Sequence, residues 1–385
     1  MHCSTLLLGL FSALVAVATP THDQVGSLQA REAHRSLLLQ VKAQDDMNDP
    51  DDLTVAITLI NKGSAAVKIL NDPNSVLSTW KTHTFDFAPV PVVRPDGTKA
   101  KVGAEANVRA VKVKYSPKVA AALEDERVFT VLQPGQNKTI VHELSGMYSF
   151  RTTGAYTVKL ASTAENFQVV EDDGSISVVP ATVYNGDEAQ AWSAININTN
   201  ATLPKRELVK PRLDWIVKRE AVAQTTNCSQ DQTNQLIEAT KVANKYIADA
   251  NQYLNGKLGE RYKTWFGGPS IERLKRVRSH FQNLAGISQF KFNCKCDEPA
   301  VFAYVDPIET SIYLCGAFWN AAVEGSDSKA GTIIHEGTHI RTVAGTEDYA
   351  YGPQPARELA KTDGDRATMN ADSHEYFAEN SPNLG

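Results

Sequence analysis

The first two hundred residues alternate short apolar runs with polar turns, a pattern typical of β-strands. Residues 53–60 are rich in apolar and β-branched side chains, and residues 61–64 follow as a turn. Similar short runs recur along this half, at 67–70, 108–113, 127–132, 139–144, 155–160 and 167–170. Many short strands at close spacing predict an antiparallel β-sandwich over residues 30–200.

The pattern changes to helical spacing beyond about residue 225. Apolar residues recur three and four positions apart in 231–254 and in 271–284, which predicts two amphipathic helices. Two short runs at 301–305 and 311–314 predict a strand pair, and a third helix is expected to begin after residue 328. The expected fold class is therefore multidomain: an all-β, sandwich-like N-terminal half and an α+β, mainly helical C-terminal domain.

The first eighteen residues have the pattern of a secretory signal peptide. An apolar run starts at Leu6, and Ala16-Val17-Ala18 supplies small residues around a cleavage position. No later stretch approaches the roughly 18 apolar residues that a membrane span requires. We therefore predict a signal peptide at 1–18 and a secreted, extracellular product without a membrane anchor. Asn137 and Asn200 each begin an Asn-x-Thr acceptor for N-glycans.

The charge balance of the chain bears on whether it binds nucleic acids. The 385 residues include 39 Lys or Arg and 44 Asp or Glu, which gives a net charge of -5. Because nucleic-acid binders usually carry a basic patch or stripe, we expect no nucleic-acid partner. We also expect the protein to act as a monomer.

The cysteines agree with an oxidising compartment. Cys3 lies in the signal segment, and the remaining four lie in one region of the chain: Cys228, Cys294, Cys296 and Cys315. An even number in one region of a secreted chain predicts two disulfides rather than a zinc–thiolate site. Cys294 and Cys296 are too close to pair easily with each other. Two pairings remain open from the spacing: Cys228–Cys294 with Cys296–Cys315, or Cys228–Cys296 with Cys294–Cys315.

Two dibasic pairs, Lys205-Arg206 and Lys218-Arg219, lie in a stretch rich in Pro and charge that is typical of an exposed linker. Cutting after the second pair would leave Glu220-Ala221 at the new terminus, which is similar to the spacers that follow kexin-type sites. We therefore expect a processing protease to act at Lys218-Arg219 and to separate residues 19–219 from residues 220–385. A solvated linker with incidental basic pairs is the alternative.

Residues 335–339 read His-Glu-Gly-Thr-His. His335 and His339 are four positions apart, so on a helix they share one face. Two imidazoles so placed can bind one Zn²⁺ at about 2.0–2.1 Å each, and Glu336 is placed to accept a proton from water. The pentapeptide by itself also fits an exposed helix with two ordinary histidines.

A third protein ligand separates a catalytic zinc site from that alternative. The metzincin pattern would need Gly and His where this chain has Thr342 and Gly345, so it is excluded. Glu358, on a following helix as in gluzincins, and Asp348, nine residues after His339, both remain open from the residues alone. Gly345 would let the chain turn back toward the metal, and a carboxylate oxygen binds Zn²⁺ at about 2.0–2.2 Å.

Residues 345–352, Gly-Thr-Glu-Asp-Tyr-Ala-Tyr-Gly, resemble the Gly-Thr-x-Asp-x-x-Tyr-Gly signature of the aspzincin metalloendopeptidases. The resemblance implies a zincin-like catalytic domain that hydrolyses peptide bonds with a zinc-activated water. It implies one Zn²⁺ per chain with three ligands: His335, His339 and Asp348. It further implies that Glu336 is the general base and that Tyr351 donates a hydrogen bond to the transition state.

The chain from about residue 225 to its end is similar to the peptidyl-Lys branch of that family, which is secreted and related to deuterolysin. Four stretches carry this likeness: 262–267, 302–305, 314–319 and 370–380. The disulfide pattern of the branch implies Cys228–Cys294 and Cys296–Cys315. The likeness also implies that Asp372 and Glu375 line the pocket for the Lys after the cut, so the substrates are expected to be proteins and peptides with Lys. His374, between them, is expected to be structural.

The function that follows is a secreted zinc endopeptidase that cuts on the amino side of Lys. A deuterolysin-like enzyme of broader specificity would share the zinc site without needing Asp372 and Glu375. A secreted β-sandwich binding protein with an inactive zincin domain is a further alternative. The β-rich half lies outside the resemblance and carries no catalytic motif, and its position before the processing site predicts a propeptide over 19–219 that aids folding and keeps the enzyme latent.

Overall fold

The computed structural model describes residues 36–93, 97, 99–100, 103–161, 164–184, 193–198, 224–285, 287 and 290–385. The predicted signal peptide, the Lys218-Arg219 processing site and Asn200 lie outside these residues. Strands fill the first half of the described chain, and helices fill most of the second. Among the helices of this described part, none has the length and apolar character needed to cross a bilayer.

The first half is β-rich, as predicted. Its strands are β1 (Leu37–Ala43), β2 (Asp46–Met47), β3 (Thr54–Asn61), β4 (Val67–Leu70), β5 (Phe85–Pro89), β6 (Val92–Val93), β7 (Lys99–Ala100), β8 (Asn107–Val108), β9 (Lys112–Tyr115), β10 (Phe129–Leu132), β11 (Asn137–Glu143), β12 (Tyr148–Ser149), β13 (Gly154–Leu160), β14 (Asn166–Val170), β15 (Ile176–Tyr184) and β16 (Ser193–Ile197), with the short helix α1 (Pro117–Ala121) and 3-10 turns at Pro50–Asp52 and Glu126–Val128. One sheet has the order β10-β4-β14-β15-β1-β3-β11, and a second has the order β2-β16-β13-β5. Inward side chains of both sheets, such as Ile57 and Phe87, share one core.

Two expectations for these strands are wrong. The sheets are not purely antiparallel, because β1 pairs in parallel with β15 and β16 pairs in parallel with β2. Both pairs join segments more than a hundred residues apart, so the chain has room for the crossing connection that parallel strands need. The predicted strand over 108–113 is broken: β8 ends at Val108, and β9 begins at Lys112 and leaves the sandwich for the C-terminal sheet.

The second half is mainly helical, as predicted. Its strands are β17 (Gln224–Thr226), β18 (Lys291–Asn293), β19 (Val301–Val305) and β20 (Ser311–Leu314), and its helices are α2 (Gln230–Asn255), α3 (Glu260–Phe266), α4 (Ile271–Leu284), α5 (Gly316–Asn320), α6 (Lys329–His339), α7 (Pro353–Thr362), α8 (Gly364–Ala367) and α9 (Ala371–Glu379). The predicted strand pair and α4 have the expected bounds. The strands form one sheet in the order β17-β18-β20-β19-β9.

The apolar stripes that predict the helices form the core of this half. Leu236 and Ile247 of α2 and Val277 and Phe281 of α4 are at most 2% exposed, and they belong to one apolar cluster. Burying a Val, Leu, Ile or Phe side chain stabilises the fold by roughly 1.5–3 kcal/mol relative to exposing it. Helix α6 lies in this core with every residue buried, which holds its side chains in fixed positions.

Two disulfides cross-link this half, and one cysteine of each is buried. Cys228–Cys294 joins the segment before α2 to the end of β18, and Cys296–Cys315 joins the following loop to the start of α5. This is the pairing that the resemblance implies, out of the two that the spacing leaves open. Closing loops with sequence separations of 66 and 19 residues restricts the unfolded chain, and each is worth about 3–4 kcal/mol in a chain-entropy account.

Candidate metal centre

The centre is built on α6, which carries three of the predicted site residues: His335, Glu336 and His339. The helix begins where the Gly331 amide donates to the Ser328 hydroxyl at 2.9 Å, which satisfies one of the free donors at a helix start. Gly331 also leaves room for the Glu379 carboxylate, with which a Cβ at this position would overlap. The start of the helix is therefore fixed by its cap and by close packing against α9.

A bend after α6 carries the third candidate ligand. The helix ends at His339, and Gly345 adopts a left-handed φ of 63°, which glycine takes without the strain that other residues incur. The chain then returns, so that the Thr346 carbonyl accepts from His339 Nδ1 at 2.9 Å. Asp348 follows on this returning segment, and its side chain is 9% exposed.

Three donor atoms converge between α6 and the bend. His335 Nε2 lies 3.2 Å from His339 Nε2. Asp348 Oδ1 lies 3.3 Å from the first nitrogen and 3.2 Å from the second. Ligand atoms about 2.0 Å from a tetrahedral zinc ion lie about 3.3 Å from one another. The triangle therefore has the edge length that one such ion requires.

The hydrogen bonds of the two imidazoles also favour a cation at this point. His339 Nδ1 donates to the backbone carbonyl on the bend. His335 Nδ1 donates to Glu375 Oε2 at 3.2 Å and lies 2.8 Å from Asp372 Oδ1. Each Nδ1 thus holds a proton, and both Nε2 atoms are directed toward Asp348 Oδ1. Two imidazole nitrogens and one buried carboxylate oxygen, grouped within reach of a single ion, are a donor set that Zn²⁺ binds, so the residues fit a bound metal ion.

Glu336 has one free oxygen beside this triangle. Its Oε1 accepts from the Lys114 amide at 3.1 Å, whereas its Oε2 is buried without a hydrogen-bond partner in the described part of the chain. Burial raises the pKa of Glu336 to about 7, although the neighbouring His335 and His339 act in the opposite direction. A carboxylate with a near-neutral pKa and a free oxygen is suited to exchanging protons with water.

The alternative third ligand lies elsewhere. Glu358 is on α7, where its carboxylate accepts from Lys361 Nζ at 3.3 Å. Its side chain is 63% exposed, whereas that of Asp348 is 9% exposed. Of the two carboxylates that the residues alone leave open, Asp348 is the one beside both histidines.

Tyr351 connects the site to the N-terminal half. Its hydroxyl donates to the Val113 carbonyl at 3.3 Å and accepts from Asn74 Nδ2 at 2.8 Å. Burial raises the pKa of Tyr351 well above its usual value, and Asp348 and Asp72 act in the same direction. The phenol therefore remains protonated at neutral pH and is available as a hydrogen-bond donor.

Three carboxylates surround a lysine from the N-terminal half, and we call Asp327, Asp372 and Glu375 the acidic pocket. Lys114 Nζ lies 2.6 Å from Glu375 Oε2 and 3.3 Å from Asp327 Oδ1, and the lysine side chain is 3% exposed. Burial lowers the pKa of Lys114, but the three carboxylates outweigh burial and hold it above its usual value. Burial raises the pKa of Asp372, yet the Lys114 charge brings it below its usual value. The acidic pocket thus holds a lysine ammonium.

Several residues around the site were missed by reasoning from the sequence. Lys114, Asn74 and Asp327 belong to no motif, and only the fold brings them to the centre. Glu379 accepts from the Ser328 amide at 2.9 Å and hydroxyl at 2.8 Å, and burial raises its pKa to about 9. For Glu379 a signal was present, because it lies four residues after Glu375 and so on the same face of α9.

His374 has the structural role expected of it. Its Nδ1 donates to the Asn370 carbonyl at 2.9 Å, and its Nε2 lies 3.0 Å from His280 Nδ1. The ring packs between Phe266 and Phe281. Burial lowers the pKa of His374 to about 3 and that of His280 to about 4. The two histidines therefore form a neutral, buried pair.

We expect His280→Gln to lose less stability in acid than the wild type. An unfolded histidine binds a proton near pH 6.5, whereas folded His280 does so near pH 4, so the unfolded state binds more protons between these values. The wild type should therefore lose about 3 kcal/mol relative to the variant as the pH falls through this window. Urea unfolding of both proteins from about pH 7 to about pH 4 measures this. Titrations of groups that do not contact His280 cancel between the two proteins, and a stability difference independent of pH would contradict the neutral pair.

Comparison with known proteins relates this geometry to a family. Residues 250–379 match the aspzincin family, described as lysine-specific metallo-endopeptidase. The peptidyl-Lys metalloendopeptidase of Grifola frondosa is 34% identical over 387 residues, which cover 98% of this chain and 99% of that protein. The peptidyl-Lys metalloendopeptidase of Armillaria mellea is 34% identical over 362 residues, covering 92% and 95%.

Two further matches differ in how much of this chain they cover. An extracellular protease of Aeromonas hydrophila is 30% identical over 339 residues, covering 86% of this chain and 89% of that protein. The solved structure of a zinc peptidase from Grifola frondosa is 42% identical and covers 41% of this chain and 100% of that one, with a TM-score of 0.40. The expectation that the β-rich half lies outside the resemblance is wrong, because the full-length relatives are similar through both halves.

Proposed function

The chain belongs to the aspzincin family and is a zinc metalloendopeptidase, and we propose that it cuts peptide bonds on the amino side of lysine with Glu336 as the general base. Its substrates are peptides, as the family implies. One observation carries the lysine preference: the acidic pocket accommodates an ammonium directly beside the three converging donor atoms.

We assign one zinc ion to His335, His339 and Asp348. When bound, zinc acts as a Lewis acid and lowers the pKa of a water molecule to about 7. Glu375 accepts from His335 Nδ1 with Asp372 close by, and a backbone carbonyl accepts from His339 Nδ1. These contacts set the tautomer and orientation of both rings, so that both Nε2 atoms face the same point.

Glu336 and Tyr351 supply the remaining chemistry. Glu336 takes a proton from the attacking water and passes it to the leaving amine. Its Oε2, which lacks a hydrogen-bond partner within the described ranges, and its contact with a backbone amide suit these roles. Tyr351 donates to the carbonyl oxygen as negative charge develops there. A donor of this kind is worth roughly 3–4 kcal/mol in known oxyanion holes.

Digestion of a denatured protein by the processed enzyme tests this proposal. The new fragments should begin with Lys, because each cut lies on its amino side. Cuts spread over many residue types would favour a deuterolysin-like enzyme of broader specificity. No cleavage by the zinc-loaded protein would favour a binding protein with an inactive zincin domain.

Glu375→Gln should lower kcat/KM for a Lys peptide by about a hundredfold. The change removes the carboxylate closest to the ammonium, and loss of one partner from a buried charge pair costs about 2–5 kcal/mol. The same peptide with Leu in place of Lys should be affected much less, so the preference for Lys over Leu should fall. Steady-state kinetics on both peptides measures the change.

Glu358→Gln is the matched control, since its carboxylate is exposed and remote from the acidic pocket. Because Glu375 also contacts His335, zinc content is measured in the same samples. An equal loss for the Lys and Leu peptides, or an unchanged preference for Lys, would remove Glu375 from the specificity pocket.

We further propose that the enzyme is secreted as a glycosylated precursor and that the mature form is a monomer of residues 220–385. Support comes from the apolar segment at 1–18, the Lys218-Arg219 pair and the acceptors at Asn137 and Asn200. Asn137 opens β11 and is exposed, so a glycan can be attached there. N-terminal sequencing of the secreted product should find a terminus near residue 220, whereas a terminus near residue 19 would argue against processing.

A further inference from the structure

Strand β9 belongs to the N-terminal half by sequence but to the C-terminal sheet by pairing. It runs antiparallel to β19, with Val113 opposite Tyr304 and Lys114 opposite Ala303. Helix α6, which carries the metal centre, packs against both strands. Without β9, β19 would be the edge of this sheet among the described strands. An exposed edge of this kind is where an extended peptide can add as a further strand.

The peptide bond between Val113 and Lys114 lies at the proposed catalytic groups. Tyr351 donates to the Val113 carbonyl at 3.3 Å. The Lys114 amide donates to Glu336 Oε1 at 3.1 Å. The oxygen and the nitrogen of one peptide unit thus contact the group that would hold a substrate carbonyl and the group that would protonate a leaving amine. The strand therefore lies in the register of a substrate whose bond at the site is Val113–Lys114.

The side chain of Lys114 also lies where the side chain of a substrate in this register would lie. Its ammonium lies in the acidic pocket, 5.2 Å from the centre of the Phe302 ring. Lys114 is the residue after the bond presented to the site, which is the position proposed for a substrate lysine. The neighbouring lysines lie elsewhere: Lys112 pairs with Glu347, and Lys118 is exposed.

Contacts on either side hold the strand in place. Arg109 Nε donates to Asp306 Oδ2 at 2.9 Å, just before the strand. Val113 and Tyr115 are buried in an apolar cluster that also contains Val301 of β19. A folded domain therefore presents this strand to the site, and both apolar packing and charge contacts fix its position.

We propose that β9 is an internal substrate mimic: the N-terminal half inserts Lys114 into the acidic pocket as a substrate would insert its lysine, and this keeps the precursor inactive until the strand leaves. The inference rests on the proposed function. It adds how the N-terminal half blocks the site and how a substrate binds, namely antiparallel to β19 with its lysine opposite Ala303.

The test compares zinc-loaded, full-length precursors on a short peptide with one Lys. Lys114→Met keeps the length and the apolar stem of the side chain but removes the ammonium. We expect its initial rate to exceed that of the wild-type precursor by about tenfold or more, because the strand loses a buried charge pair and gives way to substrate. Lys118→Met is the matched control, and its rate should equal that of the wild-type precursor.

Arg109→Ala gives a second test that stands if Lys114→Met does not fold. Arg109 lies outside the acidic pocket and the catalytic groups, and its ion pair is partly exposed. Its loss should raise the precursor rate several-fold by weakening the docking of β9. In either variant the apparent KM should fall while kcat changes little, because the strand and the peptide compete for one groove. A merely structural contact would not produce this pattern.

Wild-type chain cut after Arg219 is the reference. If this processed chain cleaves the Lys peptide while the wild-type, Lys114→Met and Arg109→Ala precursors share one rate, the substrate-mimic proposal is overturned and the proposed function stands. If the processed chain does not cleave the Lys peptide, the proposed function fails and the substrate-mimic proposal falls with it.

Discussion

Glu336→Gln is expected to lower kcat/KM on a Lys peptide by about a thousandfold or more while leaving the zinc content unchanged. The amide keeps the shape of the side chain and its contact with a backbone amide, but it cannot accept a proton from water. Proton transfer by a positioned side chain contributes about 10²–10⁴ to a rate. Glu336 Oε2, which is buried and has no hydrogen-bond partner among the described residues, is placed for it. Steady-state kinetics and metal analysis on the processed protein measure both quantities.

Glu347→Gln is the control for this variant, because that carboxylate lies on the same bend but is 46% exposed. Full activity of Glu336→Gln would remove Glu336 from the mechanism. Loss of zinc together with activity would instead assign Glu336 to holding the metal.

His339→Ala is expected to remove both the bound zinc and the activity, with a loss of about 10⁴-fold or more. Metal catalysis supplies several kcal/mol, and the water that Glu336 would deprotonate is no longer activated once the metal is gone. The triangle would also lose one of its three donors, which leaves fewer protein ligands than a catalytic zinc site usually has. Kinetics combined with metal analysis of the purified variant measures the effect.

A chelator should inactivate the wild type to a similar extent, and added zinc should restore it. The same addition should not restore His339→Ala. His280→Gln is the control, since this histidine pairs with His374 and not with the metal triangle. A His339→Ala variant that kept one zinc per chain would show that the ion binds elsewhere.

The sequence predicts α2 and α4 well because each of these two helices buries one apolar face in a shared core. Helix α4 has the predicted bounds, and its start is fixed locally by the Ser270 hydroxyl, which accepts from the Arg273 amide at 3.2 Å. The start of α6 is fixed in the same way, with Ser328 as its cap. Where spacing and capping agree within one segment, the pattern is sufficient.

The strand with which β9 pairs could not be predicted in this way. Alternation along a strand indicates which face is buried, but it does not indicate which strand lies alongside. Val113 is buried as a strand residue should be, yet its neighbours come from β19, almost two hundred residues later in the chain. The parallel pairing of β1 with β15 was missed for the same reason.

The residues of the candidate site also fall into two groups: those that a local sequence pattern indicates, and those that only tertiary structure brings to the site. His335, Glu336, His339, Asp348 and Tyr351 lie within one short segment. The spacing indicates the two histidines and Glu336, and the resemblance to a family motif selects Asp348 and Tyr351. Lys114 and Asn74 reach the site only through tertiary structure, and no local pattern marks them. The contacts of Asp372 and Glu375 with His335 also depend on tertiary structure, because they require α9 to pack against α6.

The acidic pocket therefore has two roles: it holds an ammonium and it contacts His335. Glu375 Oε2 lies 2.6 Å from the Lys114 ammonium and 3.2 Å from His335 Nδ1, so one oxygen bridges the pocket and a proposed metal ligand. A lysine in the pocket therefore lies next to the hydrogen bonds that orient this histidine. The acidic pocket and the proposed metal centre are parts of one buried network.

Zinc binding by Asp348→Ala, measured beside Glu358→Ala, tests the central claim most directly. Each protein is equilibrated with buffered zinc, and its metal content is determined by atomic emission. We expect one zinc per chain in the wild type and in Glu358→Ala, and a large loss in Asp348→Ala. An Asp348→Ala protein that holds zinc as tightly as the wild type, or a Glu358→Ala protein that loses it, would contradict the metal centre of His335, His339 and Asp348.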